Sequence, residues 1–352
     1  MNNEETQIDW LVNLPQWPRA RLTHLPTPIQ RLSNFEKHLG GPELWIKRDD
    51  LNGPPGGGNK TRKLEFLIGD ALKSGADMLV TVGAIQSNHT RQTAAAAARC
   101  GLKCALMHCH WTEDAGPYYR KVGNILMSSL FGAELYLDDR ERPIEDQGPM
   151  EEFVNYQKAR GHKPYLIPAG ASEHRLGSLG YIVCAAEIIR QSRQMGLSFD
   201  YVVHTTGSSS TQSGLLAGFA ALGEPVRVIG IPDDYETQIK KGRVLELANA
   251  SLELIGVKAR LSPAEVEIVA GDKSPYGVAD QKTLDTIRLL ARAEGLLTDP
   301  VYEGKAVRGL LELSAQGRFE KHSRILLMHL GGMPGVDAYA NHFPEITFRT
   351  MN

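Results

Sequence analysis

The chain reads as an α/β protein built on two doubly wound, largely parallel sheets. Short apolar runs alternate with amphipathic helical stretches through most of its length. At least three strand-helix-strand units follow one another, which demands right-handed crossovers and a sheet covered on both faces. The 352 residues are also long for a single core, so two lobes or one large α/β domain are expected.

Taken in order, Leu64, Leu67, Ile68, Ala71 and Leu72 recur at spacings of three and four and give one buried helix face ending near Gly75. Residues 78–82 form a buried strand, 90–99 an alanine-rich helix and 103–108 the next strand. Helices over 123–130 and 150–160 alternate with extended runs at 134–137 and 164–167. Beyond a glycine-rich passage at 170–180, a second set begins with a strand at 200–204, a helix at 211–221 and a strand at 226–231. Helices at 281–294 and 304–316 and a strand at 324–329 complete it.

Hydrophobic residues at 42% and charged residues at 23% are those of an ordinary soluble globule. A formal net charge of -2 argues against nucleic acid as the main partner. No apolar run is long enough to span a membrane. The opening Met1-Asn2-Asn3-Glu4-Glu5 carries acid where a secretion signal carries base, so a cytoplasmic protein is expected. Four cysteines are too few for a disulfide framework in this chain and fit reduced thiols.

Four constellations carry chemistry. In Gly56-Gly57-Gly58-Asn59-Lys60-Thr61-Arg62-Lys63, a glycine-packed turn runs straight into a helix. Positive charge in a first helical turn opposes the macrodipole, so three basic residues there call for a further reason. A dry cleft would strip the Lys60 amine of its proton and make it a nucleophile. The second stretch, Thr205-Thr206-Gly207-Ser208-Ser209-Ser210-Thr211-Gln212, joins a strand to a helix. Its small residues, hydroxyls and helix-start amides make an anion cradle; on composition alone it also fits an ordinary capped loop. It has neither the lysine ending of a nucleotide P-loop nor the spacing of a dinucleotide fingerprint.

Third, Gln86-Ser87-Asn88-His89 follows a strand and opens a helix, where a carboxylate or phenolic oxygen would be received, or where Ser87 merely caps. Fourth, Asp299-Pro300-Val301-Tyr302-Glu303 meets a helix start; Tyr302 suits general acid-base work and Glu303 suits a ring nitrogen, or a favourable first-turn position. Cys104, His108, Cys109 and His110 offer metal ligands and hence a metal-binding, non-enzymatic alternative, but strand alternation sends Cys109 away from the two histidines. Trp10, Trp17, Trp45 and Trp111 read as core or interface anchors.

Together, Gly57-Gly58-Asn59-Lys60-Thr61-Arg62-Lys63-Leu64-Glu65, Gln86-Ser87-Asn88, Thr211-Gln212, Asp299-Pro300-Val301-Tyr302 and His329-Leu330-Gly331-Gly332 resemble a family of pyridoxal-phosphate enzymes. That family comprises 1-aminocyclopropane-1-carboxylate deaminase, D-cysteine desulfhydrase and L-cysteate sulfo-lyase. The resemblance runs from about Leu22 to about Tyr339 in unchanged order. It implies a tryptophan-synthase-β-like fold (PLP fold type II), a homodimer and a small amino-acid substrate. Pyridoxal 5'-phosphate would lie between a large domain, residues 1–60 and 171–352, and a small domain, residues 61–170, carrying the Ser87-Asn88 loop.

By the same resemblance, Lys60 is the Schiff-base lysine, with Asn59 beside it. Gln86, Ser87, Asn88 and His89 form the substrate loop, in which Ser87 and Asn88 serve the substrate carboxylate and the cofactor's phenolic oxygen. Gly207, Ser208, Ser209, Ser210 and Thr211 form the phosphate loop. Tyr302 and Tyr276 are the active-site tyrosines, and Glu303 and Leu330 lie near the pyridine ring.

Substrate choice divides the motifs. Glu303, Leu330 and the stretch Ile167 to His174 are similar to the cyclopropane deaminases, whereas His89 and the hydroxyl-rich loop are similar to the desulfhydrase and sulfo-lyase branch. Pro54-Pro55 and Ala279-Asp280 match neither pattern. A carboxylate at Glu303 favours the electron-poor cofactor that ring opening needs, and an apolar Leu330 suits a hydrocarbon ring. Deamination of 1-aminocyclopropane-1-carboxylate is therefore the expected activity, ahead of β-elimination from D-cysteine or L-cysteate.

Overall fold

The computed structural model describes residues 3–140, 148–234, 237–269, 274–278 and 280–351, so Met1, Asn2 and Ala279 lie outside the described residues. Among the described residues ten strands run in chain order: β1 (Ile29–Arg31), β2 (Glu43–Arg48), β3 (Met78–Ala84), β4 (Lys103–Cys109), β5 (Glu134–Asp138), β6 (Pro164–Leu166), β7 (Tyr201–Thr206), β8 (Arg227–Pro232), β9 (Glu267–Ile268) and β10 (Arg324–His329). The helices are α1 (Asn3–Asn13), α2 (Asn59–Lys73), α3 (Asn88–Arg99), α4 (Gly123–Leu130), α5 (Gly148–Ala159), α6 (Leu179–Gln194), α7 (Ser210–Leu222), α8 (Thr237–Leu254), α9 (Gln281–Glu294) and α10 (Glu303–Ala315).

One sheet has the order β5-β4-β3-β6 and is parallel throughout. The other has the order β1-β2-β10-β7-β8-β9, parallel except for the edge pair β1-β2. The α/β class with two doubly wound sheets is thus the observed one. β3 and β7 are buried along their whole lengths, as near-continuous apolar runs in centrally placed parallel strands must be. The loops that follow their carboxyl ends, at Ser87–His89 and Gly207–Ser209, open on the same cavity.

Sequence pattern did not reveal α6 or α8. Eleven consecutive residues of α6, from Leu179 to Ile189, are buried, so there is no polar stripe to mark a face. In α8 the buried positions Lys240, Val244, Ala248, Ser251 and Leu252 mix polar with apolar side chains. α6 packs on α2 at backbone distance: a Cβ on Gly180 would stand 2.3 Å from the Arg62 carbonyl oxygen. It meets α7 as closely, since a Cβ on Gly218 would stand 2.5 Å from Ala185 Cβ.

The four cysteines Cys100, Cys104, Cys109 and Cys184 are free thiols. No helix among the described residues is long and apolar enough to cross a membrane. Because Gly180 sits against backbone that cannot yield, Gly180→Val is expected to cost about 3 kcal/mol, read as a lowered midpoint in urea unfolding.

Candidate active site

The glycine turn earns its composition. Gly56, Gly57 and Gly58 all have positive φ, at 80, 48 and 120°, and a Cβ on Gly57 would lie 1.9 Å from the Asp50 carbonyl oxygen. The turn is gripped from α3. Arg91 donates from Nη1 to the Pro55 carbonyl at 2.7 Å and from Nη2 to the Gly57 carbonyl at 2.9 Å. Gln92 Oε1 accepts from Thr61 N and from Thr61 Oγ1, each at 2.9 Å, giving α2 the cap its own sequence lacks.

The basic first turn of α2 now has its reason. Arg62 donates to both Asp49 carboxylate oxygens at 2.8 Å and to Glu187 Oε1 at 3.0 Å. Lys63 is fully buried near the Gly170 carbonyl, 3.4 Å away, and burial together with the Lys60 charge holds its amine well below the usual lysine range. Lys60 alone reaches the cavity, with Nζ 5.5 Å from the Tyr302 ring centre and no hydrogen-bond partner among the described residues. Burial lowers its pKa, against the opposing charges of Asp233, Glu303 and Asp299.

At the β7-α7 junction, Gly207, Ser208, Ser209 and Thr211 line the cavity. Ser209 holds a φ of +72° at the N-cap of α7, and its buried Oγ has no partner among the described residues. Asn59 Nδ2 donates to Thr211 Oγ1 at 3.1 Å and so ties the start of α2 to the start of α7. Ser210 is not among the lining residues: its hydroxyl pairs with Ser172 Oγ at 2.7 Å.

At the β3-α3 junction, Ser87 caps α3, accepting at 3.2 Å from the amides of His89 and Thr90, and its Oγ-H stays available to the cavity. Asn88 and His89 also line it. Thr81 Oγ1 donates its single proton to the Ile167 carbonyl at 2.7 Å, so His89 must donate from Nε2 to Thr81. That leaves His89 Nδ1 as a bare buried acceptor, and burial plus the Lys60 and Lys63 charges pushes the ring down to about 3, so it stays neutral. Gln86 stands apart from the cavity, its amide nitrogen donating to the Tyr119 and Val122 carbonyls and its oxygen accepting from Asn124 N at 2.9 Å.

The fourth wall is the start of α10. Asp299, rather than Glu303, is the capping group: its carboxylate accepts from the amides of Val301, Tyr302 and Glu303 at 2.9, 2.9 and 3.0 Å. Glu303 is buried, lines the cavity and leaves Oε1 without a partner. Burial and the nearby Asp299 charge raise its pKa well above the usual carboxylate range. The Tyr302 and Tyr276 hydroxyls pair, and burial raises both, so neither is a phenolate. Leu330 completes the lining of a cavity of about 390 Å³.

A pyridoxal-phosphate dependent enzyme family model matches residues 20–331. The chain belongs to the pyridoxal-phosphate dependent enzyme family. It is 45% identical over 337 residues to 1-aminocyclopropane-1-carboxylate deaminase of Burkholderia vietnamiensis, covering 95% of this chain and 100% of that protein. The protein of the same name from Methylobacterium nodulans is 44% identical over 333 residues, covering 94% and 99% of the two chains. A solved crystal structure described as "the ACC deaminase homologue" superposes with a TM-score of 0.85 at 35% identity, over 96% of this chain and 98% of that one.

The cavity suits this family's cofactor, pyridoxal 5'-phosphate. It holds an unpaired amine for an aldehyde, an unpaired hydroxyl at a helix N-terminus for a phosphate and a buried carboxyl with an unpaired oxygen for a ring nitrogen. The metal alternative fails on geometry. His108 Nδ1 contacts the Ala84 carbonyl at 3.1 Å, exposed His110 accepts from Arg120, and no group of three or more His, Cys, Asp or Glu among the described residues could hold an ion.

Sequence reading missed Trp111, Glu173, Asp233, Lys240 and Arg243, all of which line the cavity. Asp233 follows the carboxyl end of β8, the signal that could have exposed it. Trp10, Trp17 and Trp45 do pack on the core, while Trp111 packs beside β3 and β4 and also faces the cavity.

The raised Glu303 makes a prediction for the cofactor-free protein. Above the ordinary carboxylate value of 4.5, the unfolded chain ionises Glu303 while the folded one does not, so stability is lost as pH rises toward the folded pKa. Glu303→Gln removes this loss. The variant's unfolding midpoint relative to wild type is expected to climb as pH rises above the ordinary carboxylate value of 4.5, and a pH-independent difference would contradict the raised pKa.

Proposed function

We propose that this enzyme deaminates 1-aminocyclopropane-1-carboxylate, opening the ring to give 2-oxobutanoate and ammonia. The observation that carries the reading is the pairing, across one cavity, of the unpartnered Lys60 amine with the buried Glu303 carboxyl, whose Oε1 has no partner among the described residues. The names of the relatives point the same way. Lys60 would hold the cofactor's aldehyde carbon. Gly207, Ser208, Ser209 and Thr211, with the first amides of α7, would hold its phosphate, the Ser210 hydroxyl being taken by Ser172. Asn88 would hold its phenolic oxygen, and Glu303 its ring nitrogen beside Leu330. When bound, the cofactor withdraws electrons from the substrate's α-carbon.

The chain's own groups then divide the proton work. The α-carbon of this substrate bears no hydrogen, so ring opening needs attack at, or proton removal from, a ring methylene. Lys60, driven toward its neutral form by burial, is the base. The Tyr302-Tyr276 pair keeps its protons and shares one hydrogen bond, so the remaining hydroxyl proton serves as the acid. Ser87 Oγ-H would receive the substrate's carboxylate, whereas the neutral His89 has no free N-H to offer it. Leu330 keeps the ring side apolar.

The two sheets support a small domain of residues 61–170 and a large domain of residues 1–60 and 171–352, with the cavity between them. A homodimer belongs to the same reading and follows from the family resemblance, and a cytoplasmic location goes with it.

His89 favours a second activity, β-elimination from D-cysteine, because its bare Nδ1 is an acceptor that a thiol hydrogen could use and a hydrocarbon ring cannot. Purified enzyme is expected to release 2-oxobutanoate from the cyclopropane substrate faster than pyruvate from D-cysteine or L-cysteate. Sulfide or sulfite release without any 2-oxobutanoate would reverse the order. Lys60→Ala is expected to remove the visible absorption and the turnover together, with a loss of at least about a thousandfold.

A further inference from the structure

Asn88 faces the cavity, yet nothing in its own sequence position decides which end of its amide points there. Three neighbours do. Arg91 Nε, which can only donate, lies 2.7 Å from the side chain of Asn124, so the Asn124 atom facing it is Oδ1. The Gln86 carbonyl, which can only accept, lies 2.9 Å from the other end, which is therefore Nδ2. Asn124 Nδ2 also stands 2.9 Å from the Asn88 side chain, so the Asn88 atom turned toward it must be Oδ1. Asn88 Nδ2 is left with no partner among the described residues and with the cavity before it.

We propose that Asn124 is a positioning residue: held by Arg91 and the Gln86 carbonyl, it locks the Asn88 amide with its N-H groups toward the cavity. That corner of the site thereby accepts an anionic or carbonyl oxygen and rejects a donor. The inference rests on the reading that places pyridoxal 5'-phosphate on Lys60 with its phenolic oxygen at Asn88. Asn124 touches neither lysine nor cavity, since it is fully buried at the start of α4 and absent from the lining. Its backbone amide is also used, donating to Gln86 Oε1 at 2.9 Å, so the Gln86 side chain serves this relay. Arg91 has no carboxylate among its hydrogen-bond partners, and burial lowers it to about 9.

The test is Asn124→Asp in the full-length enzyme. The new carboxylate keeps the Arg91 contact as an ion pair but turns an acceptor toward Asn88, whose amide must flip and present Oδ1 to the cavity. Three quantities are measured: the dissociation constant of pyridoxal 5'-phosphate by dialysis, the pH midpoint of the bound chromophore's visible absorption, and the unfolding temperature of the cofactor-free protein. Losing one hydrogen bond to a charged oxygen is expected to weaken cofactor binding about ten- to a hundredfold. An oxygen without its donor is more basic, so the chromophore's midpoint is expected to rise.

Asn124→Ala, which frees Asn88 without flipping it, should move both quantities in the same direction by less. Ser128→Ala deletes only the Ser128 hydroxyl bond to the Asn124 carbonyl and should move neither. In an Asn88→Ala background, Asn124→Asp should add no further loss, because its effect passes through Asn88. Wild-type cofactor affinity and midpoint in both Asn124 variants, or full additivity with Asn88→Ala, would overturn the proposal. A colourless wild-type enzyme would instead remove the reading beneath it, so the two failures are told apart.

Discussion

The site depends on how α3 grips the turn before α2. Three consecutive glycines with positive φ have no side chains to hold their shape, and such a turn would cost conformational entropy to fix. Arg91 and Gln92 supply that fixation from outside, through carbonyl oxygens of the turn and the first free amides of α2. Ser87 and Asn88 begin the same helix α3. The element that presents the Ser87-Asn88 loop is therefore the element that fixes the base of Lys60, and neither can shift without the other.

Behind this grip lies a buried ionic knot of Lys47, Asp49, Arg62 and Glu187, joined by Thr27 and Tyr181. Two cations and two anions leave it formally neutral, so burial is compensated internally. Removing one partner would leave a charge in a dry interior, which is far costlier than the net worth of the knot. Glu187 comes from α6 and Asp49 from the turn after β2, and both converge on Arg62, two residues from Lys60. The knot thus sets where α2 begins, while the gap between neighbours at Gly180 sets how close α6 can come.

Legibility followed periodicity. β10, α4 and α9 were readable to the residue because each has one apolar pattern and clear ends; α9 even carries Asp280 as an N-cap and Gly295 as a left-handed C-cap. α6 was not, because a helix buried on every side has no stripe. Short edge strands such as β1 and β9, of three and two residues, carry too little pattern to see. In the site, residues gathered in glycine-rich or strand-end motifs were visible, Lys60, Ser87, Asn88, Tyr302 and Glu303 among them. Gln86 and Ser210 belong to the same motifs but turn away, and one-dimensional spacing cannot report which way a side chain turns. Asn124 and Arg91 contact side chains and carbonyls far along the chain, and a lone polar residue within an otherwise ordinary segment gives no warning of that.

One cause, desolvation, explains why these groups can coexist. The same burial that lowers the amine of Lys60 raises the carboxyls of Glu303, Asp233 and Asp299 and the hydroxyls of Tyr276 and Tyr302. Burial works against the charged form of base and acids alike, which weakens ion pairing between Lys60 and these carboxyls. A cavity lined this way holds a competent base within the field of competent acids. It also leaves the α7 start as the corner most receptive to a permanently charged group, because helix amides lose nothing by staying uncharged. An anionic, ring-bearing cofactor is the kind of molecule that would use both properties at once, and its charge would then set how far each neighbouring group departs from neutrality.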